Sequence, residues 1–295
     1  MSSRKRKPTF VLVIPRFEDI FHSYYAGEVI RGVSLSASRV NADFLIHITD
    51  RSNHRGWLDS TLMDRNYIDG IIFADIDNDV SIVKKAIRWG MPCMVLNNIL
   101  DEPINYVAVD NHAAAFGVIE YLLKLGHTQI ATIAGDISTQ AGLKRLEGYR
   151  EALHAKDIQV ARNYITFGEF LRTPARIAAK KLLKLRMRPT AIFAASDVMA
   201  LEVLDEAKHL GIQVPEELSI VGFDDNPLST TGSVKLTTIS QPLVEMARLG
   251  AENLYQISRG AMKLPLKIVL PTKLVKRQSV STVAKADKRL AEVNK

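Results

Sequence analysis

Residues 218–229 read Leu-Ser-Ile-Val-Gly-Phe-Asp-Asp-Asn-Pro-Leu-Ser, an apolar strand that ends in two adjacent carboxylates at a turn. Open α/β sheets bind ligands at the carboxyl ends of their strands, and an ionised Asp placed there accepts hydrogen bonds from hydroxyls. Asp224 and Asp225 could equally cap a helix or set a turn, and the run alone leaves both readings open. Other chemistry is poorly represented. The chain has no Walker-type phosphate loop, no Gly-x-Ser-x-Gly elbow and no histidine pair at metal-ligand spacing. His127, in Leu125-Gly126-His127, follows a helix end, where packing or hydrogen bonding is its expected task. Adjacent aspartates in one turn are badly placed to attack a sugar from opposite sides, as glycoside hydrolysis requires. We therefore expect no enzyme, no catalytic residue, no metal and no cofactor.

The elements that must position these carboxylates follow from hydrophobic periodicity. Short runs rich in β-branched residues occur at 9–14, 44–48, 70–74, 93–97, 130–134, 164–167, 190–194 and 218–223, with helical patterns between them. Ala115, Val118, Ile119 and Leu122 follow helical spacing before Gly126, and Ala200, Val203, Leu204 and Ala207 do so before Gly211. Strands alternating with amphipathic helices imply parallel sheets with crossover connections. So many strands in 295 residues, 47% of them hydrophobic, exceed one lobe and can fill two cores. Residues 106–111 read as a crossing between two doubly wound sheets. The late helix at 242–258 and the run 268–276 come after the second lobe is complete, so they are expected to return to the first lobe and then the second.

Charge and cysteine usage narrow the class. Of the net +7, Arg4, Lys5, Arg6 and Lys7 supply +4 and residues 281–295 supply +2, which leaves +1 for residues 8–280. That body is a weak electrostatic footprint for nucleic acid, and the basic ends read as solvated tails. Cys93, the single cysteine, lies in an apolar segment and reads as a buried, inert thiol. No secretory signal and no uncharged stretch of membrane-spanning length is present, so a cytoplasmic protein without membrane partners is expected.

Several segments, taken together, resemble the effector-binding region of the lactose-repressor (LacI/GalR) family, which has the type I periplasmic-binding-protein fold. They are Val109-Asp110-Asn111; residues 121–127 with 130–135; Arg145-Leu146-Glu147-Gly148-Tyr149; residues 193–200 with Ser196-Asp197-Val198-Met199-Ala200; residues 220–225; and 236–242, reading Leu-Thr-Thr-Ile-Ser-Gln-Pro. The resemblance spans residues 9–282. It implies an α/β fold of two doubly wound parallel-sheet lobes joined by three crossing segments. The first lobe would comprise residues 8–108 plus 242–268 and the second 109–241 plus 269–283, with a basic tail at 1–7 and a charged tail at 284–295.

The resemblance also implies a small effector, a sugar or sugar derivative, held between the lobes. By position, Arg145 falls where the family places a guanidinium on the effector, and Asp224 where a carboxylate accepts sugar hydroxyls. Asn97 falls at a further polar contact, and Phe170 where an aromatic ring covers the sugar's apolar face. Tyr25, with Tyr24, lies near an aromatic contact after the first strand, although Ala26 stands where a second aromatic is usual. Ser196 stands where Asn is common. Arg145 and Asp224 are expected to be dispensable for folding and essential for ligand-induced stabilisation. The implied assembly is a homodimer in which a helix at 19–38 contributes contacts through residues such as Val29 and Val33, or packs on its own sheet. Operator DNA is expected only through a helix-turn-helix head, which the residues before the first strand are too few to form. The alternative is a stand-alone or transport-type sugar-binding protein with no DNA-binding output.

Overall fold

The computed structural model describes residues 6–15, 23–49, 58, 66–74, 76 and 80–283. The chain divides into two compact units, residues 1–109 with 242–271 and residues 110–241 with 272–295, so it passes from one to the other at three points.

In unit 1, six strands are ordered β11-β5-β4-β3-β1-β2. They are β1 (Thr9–Pro15), β2 (Asp43–Thr49), β3 (Gly70–Ala74), β4 (Cys93–Leu96), β5 (Tyr106–Val109) and β11 (Lys267–Leu270), and every neighbouring pair is parallel. Side chains alternate across the sheet, and each face buries a separate core. Phe10, Leu12 and Ile14 of β1 pack beneath α1 (Tyr24–Val40) and α7 (Leu243–Ser258), whereas Val11 and Val13 face α2 (Ser81–Arg88). Ser23 caps α1 by accepting the Ala26 N–H.

Unit 2 repeats the plan with order β12-β10-β9-β8-β6-β7. Its strands are β6 (Ile130–Ala134), β7 (Ile165–Phe167), β8 (Ala191–Ala194), β9 (Ser219–Asp224), β10 (Thr237–Ser240) and β12 (Lys273–Val275). Only the β10–β12 pair is antiparallel. Helices α3 (Asn111–Lys124) and α4 (Gln140–His154) cover one face, and α5 (Arg172–Leu183) and α6 (Asp197–His209) the other. Asp110, Thr139 and Ser196 cap α3, α4 and α6. The apolar run 268–276 is broken at Pro271-Thr272 and supplies one strand to each sheet.

Three sequence expectations change. Val29 and Val33 are 0% and 3% exposed inside the α1/α7 core, so they pack unit 1 and cannot supply a dimer surface. Arg6 and Lys7 are not free tail residues: Arg6 forms a two-pronged hydrogen bond to Asp69 at 3.0 Å and Lys7 pairs with Asp43 at 2.6 Å. The near-neutral body also conceals a strong local charge. Arg172, Arg176, Lys180, Lys181, Lys184, Arg186 and Arg188 occur without an acid among them in the sequence, and all but Arg188 are exposed, although Arg172 and Arg176 share Glu202 and Arg188 pairs with Glu217. Arg4, Lys5, residues 19–22 and the tail at 284–295 lie outside the described residues.

His127 is 2% exposed. Its Nε2 lies 2.9 Å from the Ser281 carbonyl and its Nδ1 3.0 Å from the Thr190 hydroxyl, an arrangement that a neutral imidazole satisfies by donating through Nε2 and accepting at Nδ1. Burial pushes its pKa below the usual histidine value, and the hydrogen bond to Ser281 opposes this only in part. A depressed histidine pKa means that the unfolded chain binds the proton first. The neutral His127 contribution is therefore fully present above about pH 6.5 and declines as the pH falls below it. The urea midpoint of the wild type should fall more steeply between about pH 6.5 and 5 than that of His127→Gln. Parallel curves for the two proteins would contradict this assignment.

Candidate functional site

Four of the residues singled out in the sequence, Arg145, Asp224, Phe170 and Ser196, meet at the carboxyl ends of the unit 2 strands. Arg145 lies on the inner face of α4 and is 3% exposed. Its Nε donates to Asn111 Oδ1 at 2.8 Å and its Nη1 to the Ala195 carbonyl at 2.6 Å. The guanidinium stacks 3.6 Å above the Phe223 ring and lies 5.7 Å from the Phe170 ring. Nη1 is also 3.8 Å from Asp224 Oδ1. A cation this buried needs such partners, because an unpaired charge costs several kcal/mol in a dry site.

Asp224 ends β9 at φ 121°, and Asp225 follows at φ 58°, so the two neighbouring carboxylates diverge. Asp224 keeps 15% of its side-chain surface exposed and accepts a 2.7 Å hydrogen bond from Gln241 Nε2. Asp225 instead pairs with Arg277 at 2.5 Å, and that guanidinium also donates to Ser229 and to the Leu236 carbonyl. One member of the pair is thus oriented toward Arg145 while the other secures the turn. Burial raises the Asp224 pKa to about 6, against the opposing pull of Arg145 and the Gln241 hydrogen bond. A carboxylate balanced in this way is ionised at neutral pH but becomes protonated in mild acid.

Phe170, also at positive φ (62°), lies against Gly135 just beyond β6. A Cβ at Gly135 would come within 2.1 Å of the ring, so the missing side chain is what admits the aromatic. Ser196 is 5% exposed, and its hydroxyl oxygen accepts the Met199 N–H as the cap of α6. The short Ser side chain therefore has a local structural role beside any contact with a ligand. Asn97 and Tyr25 belong to unit 1. Asn97 follows β4 at φ 65° and is 2% exposed, whereas Tyr25 lies in the first turn of α1 against the α1/α7 core.

Sequence reasoning missed Asp197, Thr238, Asn226 and Gln241 as members of this cluster. Asp197 is fully buried; its Oδ2 accepts the Asn226 N–H at 2.7 Å and its Oδ1 the Thr238 hydroxyl at 2.6 Å. Burial, and then the charge of Asp224, hold its pKa well above the normal carboxylate range. A legible signal existed. An acidic residue at the first position of a helix that follows a parallel strand points back toward the strand ends. Among the described residues, no group of three or more His, Cys, Asp or Glu could hold a metal ion, and no helix is long and apolar enough to cross a membrane.

The periplasmic binding protein-like domain family matches residues 119–280. The chain is 36% identical over 252 residues to the HTH-type transcriptional repressor CytR of Escherichia coli K12, covering 83% of this chain and 71% of that protein. It is 32% identical over 283 residues to the HTH-type transcriptional regulator DegA of Bacillus subtilis 168, covering 94% of this chain and 82% of that protein. Among solved structures, a complex of the transcriptional regulator CelR with cellobiose matches with a TM-score of 0.85 at 28% identity, covering 93% of this chain and 85% of that one.

Proposed function

Because the chain belongs to the LacI/GalR family of transcriptional regulators through its effector-binding region, we propose that the Arg145–Asp224 cluster recognises a neutral sugar whose occupancy sets the regulator's affinity for operator DNA. The observation that carries this reading is the 3.8 Å approach of a buried guanidinium to a carboxylate that retains solvent access at the strand ends. The exposed part of Asp224 can accept hydroxyl protons, and Phe170 offers an aromatic face nearby. A hydrogen bond to such a charged group contributes about 1.5–3 kcal/mol, and an analogue lacking the hydroxyl leaves the carboxylate unsatisfied. The cellobiose bound to CelR supports a sugar as the ligand class.

On this reading the chain is the effector-sensing module of a parent regulator that works in the cytoplasm as a homodimer, and the effector biases that regulator's DNA affinity by a coupling of about 1–3 kcal/mol. It performs no chemistry on the effector. A thermal-shift screen over sugars, sugar phosphates, nucleosides and amino acids tests it. A neutral sugar should raise the melting temperature, by the equivalent of about 2.7 kcal/mol at a hundredfold excess over Kd. Asp224→Asn should remove the shift. In the wild type, affinity should decline as the pH falls below about 6, because protonated Asp224 loses acceptor capacity. A screen in which no sugar acts, or a shift that survives intact in Asp224→Asn, would overturn the reading. Asn97→Ala and Tyr25→Phe, examined in the same assay, report whether the two unit 1 residues take part.

A further inference from the structure

The recognition scheme leaves Asp197 without a task, although its placement is costly. It begins α6, its side chain is fully buried, and among the described residues no cation bonds it directly. An Asn or Ser could occupy a helix start at lower cost, since burying a carboxylate carries a large desolvation penalty. What the carboxylate does hold is the turn after β9. One oxygen takes the Asn226 N–H and the other the Thr238 hydroxyl. Asp224 and Asp225, both at positive φ, are the residues this turn must restrain. Non-glycine residues in such conformations are strained and persist only where their surroundings over-determine them.

The sheet has been cleared to admit the carboxylate. A Cβ on Gly222 of β9 would fall 2.1 Å from Asp197 Oδ1 and 2.9 Å from Leu236. Any larger residue there would push Asp197 away from Thr238 and Asn226. The charged groups acting on it are Asp224 and Asp225 from the β9 turn, whose own partners are Arg145 from α4 and Arg277 after β12. Both guanidinium groups are already engaged by the turn aspartates.

We propose that Asp197 is a positioning residue for effector choice: by anchoring Asn226 it holds Asp224 and Asp225 at positive φ and orients the Asp224 carboxylate toward Arg145 and Gln241, and so sets which hydroxyl pattern is accepted without touching the effector. This rests on the assignment of Asp224 as an effector acceptor. Asn matches the shape of a protonated Asp197, can accept the Asn226 N–H through its carbonyl oxygen and can donate to Thr238. Asp197→Asn is therefore the conservative rescue, and Asp197→Ala is the loss.

Two arms test the idea on the full chain. Without ligand, NMR hydrogen exchange at the Asn226 amide should show protection in the wild type and in Asp197→Asn, and lose it in Asp197→Ala. With ligand, the affinity ratio between the best sugar from the screen and its single-deoxy analogues should shrink by about tenfold or more in Asp197→Ala and return in Asp197→Asn. Gly222→Ala, which displaces Asp197 without changing its chemistry, should reproduce the loss, and Thr238→Val should do so in part. The two milder variants serve if Asp197→Ala does not fold. An unprotected Asn226 amide in the wild type, protection retained in Asp197→Ala, or an unchanged sugar-to-deoxy ratio in these variants overturns the proposal. If no sugar binds the wild type, the reading of Asp224 as a sugar acceptor fails, and the exchange arm still decides whether Asp197 holds the turn.

Discussion

Arg145→Ala should lower the stability of unit 2 by about 3–5 kcal/mol and abolish any effector-induced thermal shift. The first effect is not what the sequence suggests, since a ligand-facing arginine reads as dispensable for folding. In the structure the guanidinium is 3% exposed, donates to Asn111 and to the Ala195 carbonyl, and covers Phe223. Truncation leaves those two acceptors without their donor, strands the Asp224 carboxylate and opens a void beside an aromatic ring. Domains have only about 5–15 kcal/mol of net stability, so the urea midpoint should move far enough to be unmistakable. Arg145→Lys should recover part of the stability, because it keeps the charge while losing the planar fork that reaches two acceptors at once. An unchanged urea midpoint for Arg145→Ala in the absence of ligand would mean that these hydrogen bonds do not form in solution.

Tyr149→Ala is the second large effect, with an expected loss of about 3–5 kcal/mol. Tyr149 is completely buried one turn beyond Arg145 on the same helix, and its hydroxyl donates to the Ile130 carbonyl at 2.8 Å, where β6 begins. It anchors α4 to the sheet and so determines where Arg145 can reach. Tyr149→Phe keeps the ring and loses only the hydrogen bond, which should cost about 1–3 kcal/mol because the buried Ile130 carbonyl then has no donor from this residue. The pair of variants separates packing from hydrogen bonding. Equal urea midpoints for the Phe and Ala variants would show that the ring contributes nothing to holding the helix.

A residue's position is legible in the sequence where it follows from a strand or helix end. Asp224 is recognisable because an apolar strand stops at it, and Gly126 and Gly211 stop helices at φ 90° and 71°. The sequence falls short where roles depend on partners distant in the chain. Asp197 meets Thr238 and Asn226 across gaps of 41 and 29 residues, and Asp225 meets Arg277 across 52. No local pattern records such pairs. The same limit explains Val29 and Val33: helical periodicity shows an apolar face, and only packing against α7 shows that this face is already filled. Averaging charge over residues 8–280 hid the cationic run along α5 for a related reason, since a sum discards position.

By itself the amino-acid order determined the class of the molecule: β-branched runs alternating with amphipathic helices can bury their apolar surface only as helix-covered parallel sheets, and the observed sheets are of that kind. Tertiary structure alone shows why Asp224 approaches the buried arginine while its neighbour Asp225 turns to Arg277, because the direction of each carboxylate depends on a strained turn held by hydrogen bonds from β10, α6 and the segment after β12. Backbone periodicity is a local property of the chain, whereas the direction of a side chain at a turn is set by whichever distant groups converge on it.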